Sequence, residues 1–282
     1  MQNSKPENKK IRSNYSMRVG DKLIDLSTPL IMGIINVTPD SFYAGSRTSI
    51  DVNFIDTIEQ MVKDGMSIVD IGGYSSRPGA IDISVEEEIK RVIPAIKSIR
   101  EAFPELIISI DTFRSEVADT ALSHGANIIN DISGFQIDKK IIHVAAKHNA
   151  PYILMHMKGT PQTMQDQTAY DNLFKEIALY FSEKISQLES AGVKDIILDP
   201  GFGFSKTLEQ NYELLNHSEF FHFLEKPILI GISRKSMIYK KIKSTPDSEE
   251  TLKKTIELNR IAIEKGAHIL RVHDVKEAFE LI

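Results

Sequence analysis

The segment Gly65-Met-Ser-Ile-Val-Asp70-Ile-Gly72 shows the pattern that decides the fold. A glycine suits the left-handed residue that follows the last turn of a helix. The short β-branched run after it is typical of a strand buried on both faces, as in a parallel sheet. Asp70 then places a charged side chain near the end of that run. The segment therefore predicts a helix, a tight turn and a buried strand with a polar end.

The same pattern recurs along the chain. It is found at Gly125-Ala-Asn-Ile-Ile-Asn130-Asp131, Gly192-Val-Lys-Asp-Ile-Ile-Leu-Asp199 and Gly266-Ala-His-Ile-Leu-Arg271-Val-His273. Further apolar runs fill the gaps between these segments, at Leu30–Val37, Leu106–Thr112, Pro151–Met157 and Pro227–Ser233. Together they predict strands that alternate with helical patterns throughout the chain.

The predicted helices lie at Val52–Lys63, Val85–Glu101, Arg114–Ser123, Asp138–Lys147, Tyr170–Ser190, Leu208–Asn216, Glu249–Glu264 and Val275–Leu281. Ser84 with Glu87, and Thr207 with Gln210, have the spacing of a capping box. Repeated βα units in this number imply an α/β fold that closes as a (β/α)8 TIM barrel. The alternative is a doubly wound sheet, but no glycine-rich dinucleotide fingerprint follows the first strand.

Length and composition fit one barrel domain. The 282 residues include 41% hydrophobic and 26% charged residues, as in an ordinary globular protein. We expect a flexible tail over residues 1–15 and a barrel domain over residues 16–282. The net charge of -5 suggests neither nucleic acid nor an anionic membrane as a partner. The sequence contains no cysteine, which excludes disulfides and thiol nucleophiles. No apolar signal segment opens the chain, so we expect a cytoplasmic protein.

The predicted strands end on polar side chains. These are Asn36, Ser75-Ser76-Arg77, Asp111, Asn130-Asp131, His156, Asp199, Ser233-Arg234-Lys235-Ser236, Arg271 and His273. One polar strand end is explained by capping alone. In a barrel, however, the carboxyl ends of all strands meet at one mouth, where barrel active sites lie. The set therefore predicts a single shared site at that mouth.

The residue types suggest which ligands this site accepts. The cationic side chains Arg77, Lys235, Arg271 and His273 suit phosphate or pyrophosphate oxygens. The carboxylates of Asp111 and Asp199 can accept parallel hydrogen bonds from a heterocycle with adjacent N–H donors. The residue types therefore predict two neighbouring subsites, a cationic one that binds an anion and an acidic one that binds a heterocycle rich in N–H donors.

The motifs in which these residues occur resemble those of the dihydropteroate synthase family. The first strand and its loop read Ile-Met-Gly-Ile-Ile-Asn36-Val-Thr-Pro-Asp40-Ser-Phe42, and the second Asp70-Ile-Gly-Gly-Tyr-Ser-Ser-Arg77-Pro-Gly79. The later motifs are Ser109-Ile-Asp111-Thr, Asn130-Asp-Ile-Ser-Gly134, Met155-His-Met-Lys-Gly-Thr-Pro161, Asp199-Pro-Gly-Phe-Gly-Phe204, Ser233-Arg-Lys235-Ser236 and Arg271-Val-His273-Asp274. The resemblance runs from about Leu30 to the C-terminus and includes every predicted strand.

This resemblance implies a reaction and the residues that perform it. The family joins 6-hydroxymethyl-7,8-dihydropterin pyrophosphate to para-aminobenzoate, and releases pyrophosphate. The resemblance assigns pterin binding to Asp111, Asn130, Met155, Asp199, Gly231 and Lys235. It assigns pyrophosphate binding to Asn36, Arg77, Arg271 and His273, with Asn36 also as a ligand of the Mg²⁺ cofactor. It assigns the para-aminobenzoate site to Phe42, Ser76, Arg77, Pro78, Phe204, Lys235 and Ser236.

The resemblance also implies a mechanism, an inhibitor class and an assembly. Asp111, Lys235, Arg271 and His273 carry the catalytic roles. Pyrophosphate leaves first, Asp111 stabilises the pterin cation, and the arylamine then attacks. Sulfonamides compete for the arylamine site, and the family forms homodimers.

Some positions depart from the family pattern or stay open. Ala44 and Tyr74 occupy positions where many family members carry a carboxylate. They leave a non-catalytic pterin-binding homologue as one alternative. Another is a pterin-binding methyltransferase that acts on methyltetrahydrofolate, but it would not need the first-loop motif or the Ser233–Ser236 motif. His156 either lines the site or packs outward against the helices.

Overall fold

The computed structural model describes residues 15–37, 52–75 and 82–282. A two-stranded antiparallel hairpin, β1 (Ser16–Val19) and β2 (Lys22–Asp25), precedes an eight-stranded parallel sheet. The sheet consists of β3 (Leu30–Asn36), β4 (Ile68–Gly72), β5 (Ile107–Asp111), β6 (Ile128–Asp131), β7 (Tyr152–Met155), β8 (Ile196–Asp199), β9 (Leu229–Ile230) and β10 (Ile269–Val272).

The sheet closes into the predicted (β/α)8 barrel. Strands β3 to β8 pair in sequence order, and β10 lies between β3 and β9. A parallel bridge between Leu198 and Ile228 joins β8 to the beginning of β9. The amide of Leu198 donates to the carbonyl of Pro227 at 2.9 Å, which completes this junction. Strand β9 is shorter than the predicted Pro227–Ser233, because only Leu229 and Ile230 pair continuously with β10.

Helices cover the outer face of the barrel. They are α1 (Val52–Lys63), α2 (Val85–Ala102), α3 (Ser115–Ser123), α4 (Ile141–His148), α5 (Leu173–Ser190), α6 (Leu208–Asn216), α7 (Ser236–Tyr239), α8 (Glu249–Glu264) and α9 (Val275–Phe279). Helix α4 begins three residues later than predicted, because the carboxylate of Asp138 accepts from the amides of Ser115 and Lys140 instead of entering the helix.

The two predicted capping boxes differ in outcome. Thr207 and Gln210 form both reciprocal hydrogen bonds at the start of α6. At α2, the Ser84 hydroxyl accepts from the amide of Glu87. The Glu87 carboxylate instead pairs with Arg91 one turn along the helix, at 2.9 Å. The second box is therefore only half formed.

The period of two along each strand divides the core into two parts. Outward-facing residues such as Val69, Ile108 and Leu198 pack against the helices in the larger cluster. Inward-facing residues form a smaller cluster at the amino-terminal end of the barrel, namely Met32, Ile68, Ile107, Ile128, Ile153, Ile197, Leu229 and Ile269. The β1–β2 hairpin was not predicted. It covers this end of the barrel, since Met17, Val19 and Leu26 belong to the same cluster.

The glycines between helix and strand differ in how strongly their surroundings exclude a side chain. Gly65 has φ +104° and Gly192 has φ +95°, so both lie in the region that disfavours a side chain. A Cβ on Gly65 would overlap the ring of Phe279, whereas one on Gly192 would lie 3.7 Å from the Cβ of Ala146. The first position therefore carries a steric constraint in addition to the conformational one.

We predict that Gly65→Ala lowers the free energy of unfolding more than Gly192→Ala does. The conformational strain common to both variants costs about 1–3 kcal/mol. Only Gly65→Ala must also displace Phe279. Urea unfolding of the two variants and the unsubstituted protein measures the difference, and equal losses would contradict the packing argument.

Candidate active site

The inward face of the strands changes from apolar to polar toward the carboxyl ends. Two residues after the apolar layer, β4, β5, β6, β8 and β10 carry Asp70, Ser109, Asn130, Asp199 and Arg271. Asn36, Gly72 and Asp111 follow at the strand ends in one register, because Asn36 pairs with Gly72 and Gly72 pairs with Asp111. The strand period therefore brings Asn36, Asp111, Asn130, Asp199 and Arg271 to one mouth.

Arg271 connects two carboxylates across this mouth. Its Nε donates to Oδ2 of Asp70 and its Nη2 donates to Oδ2 of Asp111, both at 2.7 Å. Burial by itself would lower the pKa of Arg271, but the two carboxylates raise it above its ordinary value. Burial raises the pKa of Asp111 to about 7, and Arg271 opposes that rise. The guanidinium is thus permanently charged and fixed in place.

Asn130 and Asn36 lie beside this charged group. The side-chain amide of Asn130 donates to Oδ2 of Asp70 at 3.0 Å, in a fully buried contact. Asn36 is exposed at the end of β3. A Cβ on Gly72 would be 3.6 Å from both the Oδ1 of Asn36 and the Cβ of Asp111. The small Gly72 therefore leaves the space between these two side chains open to a ligand.

Asp199 and Lys235 face the mouth from the other side. One oxygen of Asp199 accepts from the amide of Gly201 at 2.8 Å, and burial raises the pKa of this carboxyl. The Nζ of Lys235 donates to the carbonyl of Phe202 at 2.5 Å. Burial lowers the pKa of Lys235 to about 8, against the attraction of Asp199. Within the described ranges, no direct salt bridge joins Lys235 to Asp199, but each of the two charges favours the ionised form of the other.

An apolar wall borders the polar mouth. Met155, Met157 and Met164 are buried there with Phe113 and Ile132, and Phe204 and Tyr74 pack on them. The ring of Phe204 lies under the Nζ of Lys235, 4.7 Å from it. Phe202, by contrast, is fully buried in the helix-facing core. Of the two phenylalanines in this loop, only Phe204 can contribute its ring to the site.

Tyr74 is integrated into this apolar wall. Its ring meets Phe113 edge-on at 5.0 Å, and its hydroxyl accepts from the side-chain amide of Gln162 at 3.0 Å. The guanidinium of Arg114 lies 5.3 Å from the centre of the Tyr74 ring. Tyr74 thus lies in a polar and aromatic setting.

The loops after β9 and β10 are joined by hydrogen bonds. The Ser233 hydroxyl accepts from the amide of His273, and its oxygen lies 3.0 Å from the Nδ1 of that ring. Arg234 forms two hydrogen bonds with the carboxylate of Asp274, at 2.8 and 2.7 Å, and so is not a free cation of the mouth. His273 is exposed beside this junction. Ser236 begins α7, and a Cβ on Gly231 would lie 3.6 Å from the Cβ of Arg271.

His156 packs outward, which decides between the two alternatives for it. It is 2% exposed, and its ring meets Tyr180 edge-on at 4.9 Å. Its Nδ1 lies 3.1 Å from the Nζ of Lys206. Burial and this neighbouring lysine hold the pKa of His156 well below its usual range. His156 therefore supports the loop behind Asp199 instead of facing the mouth.

Sequence reasoning missed two residues. The sequence marked Asp70 only as a polar position in its strand. Because it lies two residues before Gly72, its side chain faces the inside of the barrel, and this spacing could have placed it beneath the site. Lys206 donates to His156 and to the carbonyls of Gly201 and Phe204, each at 3.0–3.1 Å. No local pattern distinguished this lysine from a surface lysine, because its partners belong to two different loops.

Several predicted residues lie outside the described residues. They are Phe42, Ser76, Arg77 and Pro78, with Asp40 and Ala44 of the first loop. Among the residues that the structure describes, no three His, Cys, Asp or Glu side chains are grouped as metal ligands. No helix in the described ranges is long and apolar enough to cross a membrane.

Comparison with known proteins agrees with this geometry. The model of the family described as pterin binding enzyme matches residues 32–273. The chain belongs to the family of pterin binding enzymes. It is 44% identical over 259 residues to dihydropteroate synthase of Escherichia coli K12, with 91% of this chain and 90% of that protein covered.

Solved structures of pterin binding enzymes share the fold. Dihydropteroate synthase of Yersinia pestis, solved in a sulfonamide drug complex, has a TM-score of 0.86 at 38% identity and covers 95% of this chain and 96% of its own. The enzyme of Clostridium difficile, crystallised in the presence of pteroic acid, has a TM-score of 0.81 at 39% identity, with 90% and 94% covered. These likenesses extend over the whole barrel.

The buried Lys206 gives a pH-dependent prediction. Burial lowers its pKa from 10.5 to about 7, so above that pH the folded protein binds fewer protons than the unfolded chain. The contribution of Lys206 to the free energy of unfolding therefore rises as the pH increases from about 7 to about 10. In Lys206→Met this contribution is absent.

We expect the difference in unfolding free energy between the unsubstituted protein and Lys206→Met to be larger at alkaline than at neutral pH. Urea unfolding at both values measures it. Titrating groups distant from Lys206 cancel in that difference, so a gap that stays constant would show that Lys206 does not titrate in this range.

Proposed function

We propose that this protein is a dihydropteroate synthase, which condenses 6-hydroxymethyl-7,8-dihydropterin pyrophosphate with para-aminobenzoate. The observation that carries the proposal is the inward polar layer, in which Asp111, Asn130, Asp199, Lys235 and Arg271 share one barrel mouth. The relative from Escherichia coli bears the same activity name at 44% identity.

The pterin ring fits between the carboxylates of Asp111 and Asp199. Asp199 uses one oxygen for the amide of Gly201, and so its other oxygen can accept from ring N–H and amino groups. Lys235, opposite, can donate to the ring carbonyl and a ring nitrogen. Met155 and Phe204 supply the apolar surface on which a flat ring packs. This combination holds an uncharged heterocycle through its edge and its face.

The pyrophosphate fits the cationic side of the mouth. Arg271 faces inward from β10, and His273 follows the end of that strand, where Ser233 contacts its backbone amide and its ring. Mg²⁺ commonly binds one or two protein oxygens together with substrate phosphates. The exposed amide oxygen of Asn36 beside Asp111 fits this use, and the bound ion would add positive charge to the leaving group.

The reaction requires charge stabilisation more than proton transfer. The bond between the pterin methylene carbon and the pyrophosphate oxygen breaks, and its electron pair leaves with pyrophosphate near Arg271. The Asp111 carboxylate, whose ionised form Arg271 favours, stabilises the cation that remains. The nitrogen of the neutral arylamine then bonds to the methylene carbon and loses one proton, so no strong base is needed.

The arylamine binds at the outer part of the mouth. The Phe204 ring, the Lys235 ammonium and Ser236 at the start of α7 border this region. We propose that Phe42, Ser76, Arg77 and Pro78 complete it, and that sulfonamides compete there. The sulfonamide complex of the Yersinia pestis relative supports this competition.

We also propose a cytoplasmic homodimer that acts on small molecules. The exposed apolar side chains Leu179, Phe220 and Phe223, which are 59%, 46% and 60% exposed, support a second copy as a partner. Sedimentation analysis distinguishes a dimer from a monomer. The cysteine-free composition supports a reducing compartment.

Release of pyrophosphate tests the proposed function. The protein is mixed with the pterin pyrophosphate, Mg²⁺ and para-aminobenzoate, and pyrophosphate is followed over time. Synthase activity requires continuous release that depends on both substrates, because only the attack of the arylamine completes a turnover. Binding of pteroic acid without release would favour the non-catalytic homologue, and methyl transfer from methyltetrahydrofolate would favour the methyltransferase.

Two variants separate the roles of Lys235 and Arg271. We expect Lys235→Ala to weaken pteroic acid binding and turnover together, by about tenfold or more, because a charge-assisted hydrogen bond is lost. We expect Arg271→Ala to act mainly on pyrophosphate-bearing ligands. Titration calorimetry with pteroic acid and with the pterin pyrophosphate measures both. Equal losses on the two ligands in Arg271→Ala would contradict the clamp assignment.

A further inference from the structure

Asp70 lies under the site and touches two of its residues. It is fully buried in β4, one inward position below Gly72. The mouth residues Asp111 and Asn130 lie in the register of Gly72, one step closer to the ligand. A carboxylate at this depth supports other side chains and does not itself reach the substrate.

A single oxygen of Asp70 carries both contacts. Its Oδ2 accepts from the Asn130 amide at 3.0 Å and from the Arg271 Nε at 2.7 Å. Asn130 belongs to the proposed pterin slot and Arg271 to the proposed pyrophosphate clamp. One buried atom is therefore shared by the two halves of the site.

The contact with Asn130 fixes which end of the amide faces the ligand. The two ends of an asparagine amide are nearly equal in size, but one donates and the other accepts. A flipped amide would place its carbonyl oxygen against the Asp70 carboxylate, and two acceptors repel each other. Asp70 therefore holds the nitrogen of Asn130 on its own side, and leaves the carbonyl oxygen to meet a donor on the ligand.

The contact with Arg271 fixes the plane of the guanidinium. Asp70 holds Nε and Asp111 holds Nη2, so neighbouring nitrogens of one planar group are bound by two carboxylates. With Asp111 alone, the group could rotate about a single contact. The remaining N–H donors of Arg271 consequently point in one direction toward the mouth.

We propose that Asp70 is a positioning residue that sets the donor and acceptor order of Asn130 and the plane of Arg271. This inference rests on the proposed function, since it assigns meaning to the pterin and pyrophosphate contacts of those two residues. Buried charges are seldom retained for stability alone. The other oxygen of Asp70, Oδ1, has no hydrogen bond in the described part of the chain.

The neighbour Ser109 makes a selective substitution possible. Ser109 is the register partner of Asp70 on β5, so both side chains face inward, and its hydroxyl has no hydrogen bond within the described residues. In Asp70→Asn, the new carbonyl can accept from Asn130 and Arg271 while the new amide donates toward Ser109. Asp70→Leu keeps a similar volume but removes the acceptor.

The test compares Asp70→Asn and Asp70→Leu, with Ser109→Ala as a matched control in the same layer. Pteroic acid binding is measured by calorimetry, and thermal unfolding is measured beside it. Loss of the acceptor should weaken binding by about tenfold in Asp70→Leu, while Asp70→Asn stays within about threefold of the unsubstituted protein. Ser109→Ala should bind as the unsubstituted protein does.

A second readout follows Arg271 directly. Its buried Nε–H should give a slowly exchanging ¹⁵N–¹H signal in nuclear magnetic resonance, assigned by its loss in Arg271→Lys. We expect the signal to persist in Asp70→Asn and to be lost in Asp70→Leu. This signal reports the hydrogen bond and does not depend on activity.

Several outcomes would overturn the inference. One is pteroic acid binding in Asp70→Leu within threefold of the unsubstituted protein. A second is a tenfold loss of pteroic acid affinity in Asp70→Asn with unchanged thermal unfolding. This outcome can be measured even if Asp70→Leu does not fold. A third is an equal loss in Ser109→Ala, which would indicate general packing. Absence of pteroic acid binding by the unsubstituted protein would instead overturn the proposed function, and this inference with it.

Discussion

Arg271 of β10 reaches past β3 to the carboxylates of Asp70 on β4 and Asp111 on β5. Three charged groups are thereby removed from bulk water at the centre of the barrel mouth. Desolvation of each charge is expensive, and hydrogen bonds at 2.7 Å between opposite charges offset that expense. Removing the guanidinium would leave two carboxylates without a counter-charge. This contact therefore joins side chains of three strands at the mouth.

The interior of the opposite end of the barrel is apolar. The inward layer of isoleucines, leucine and methionine lies there, and the β1–β2 hairpin packs over it through Met17, Val19 and Leu26. Burial of such side chains stabilises the fold without any demand on ligand binding. The barrel thus separates stability at the amino-terminal face from chemistry at the carboxyl-terminal face, as barrels generally do.

A second set of contacts supports the ligand-facing side of Asp199. Ser205 has φ +50°, and its hydroxyl bonds to both the amide and the carbonyl of Lys158, at 2.7 and 2.9 Å. Lys206 holds His156 and two carbonyls of the loop after β8. The loops after β7 and β8 therefore form one unit. That unit places Phe204 beneath Lys235 and so shapes the apolar side of the mouth.

Local sequence determined the eight barrel strands, most helix ends and most of the mouth residues, but not the β1–β2 hairpin. The reason is that the period of two along a strand and the period of 3.6 along a helix depend only on neighbouring residues. These periods also put Asp111, Asn130, Asp199 and Arg271 on one face, so their convergence was predictable once the barrel was inferred.

Only the tertiary structure decided which polar residues face the ligand and which support them. Asp70 and Arg271 are 201 residues apart, and Lys206 and His156 are 50 residues apart. Their hydrogen bonds depend on strand order and on loop paths, which no local pattern encodes. For the same reason the outward packing of His156, the burial of Phe202 and the pairing of Arg234 with Asp274 became evident only in the folded chain.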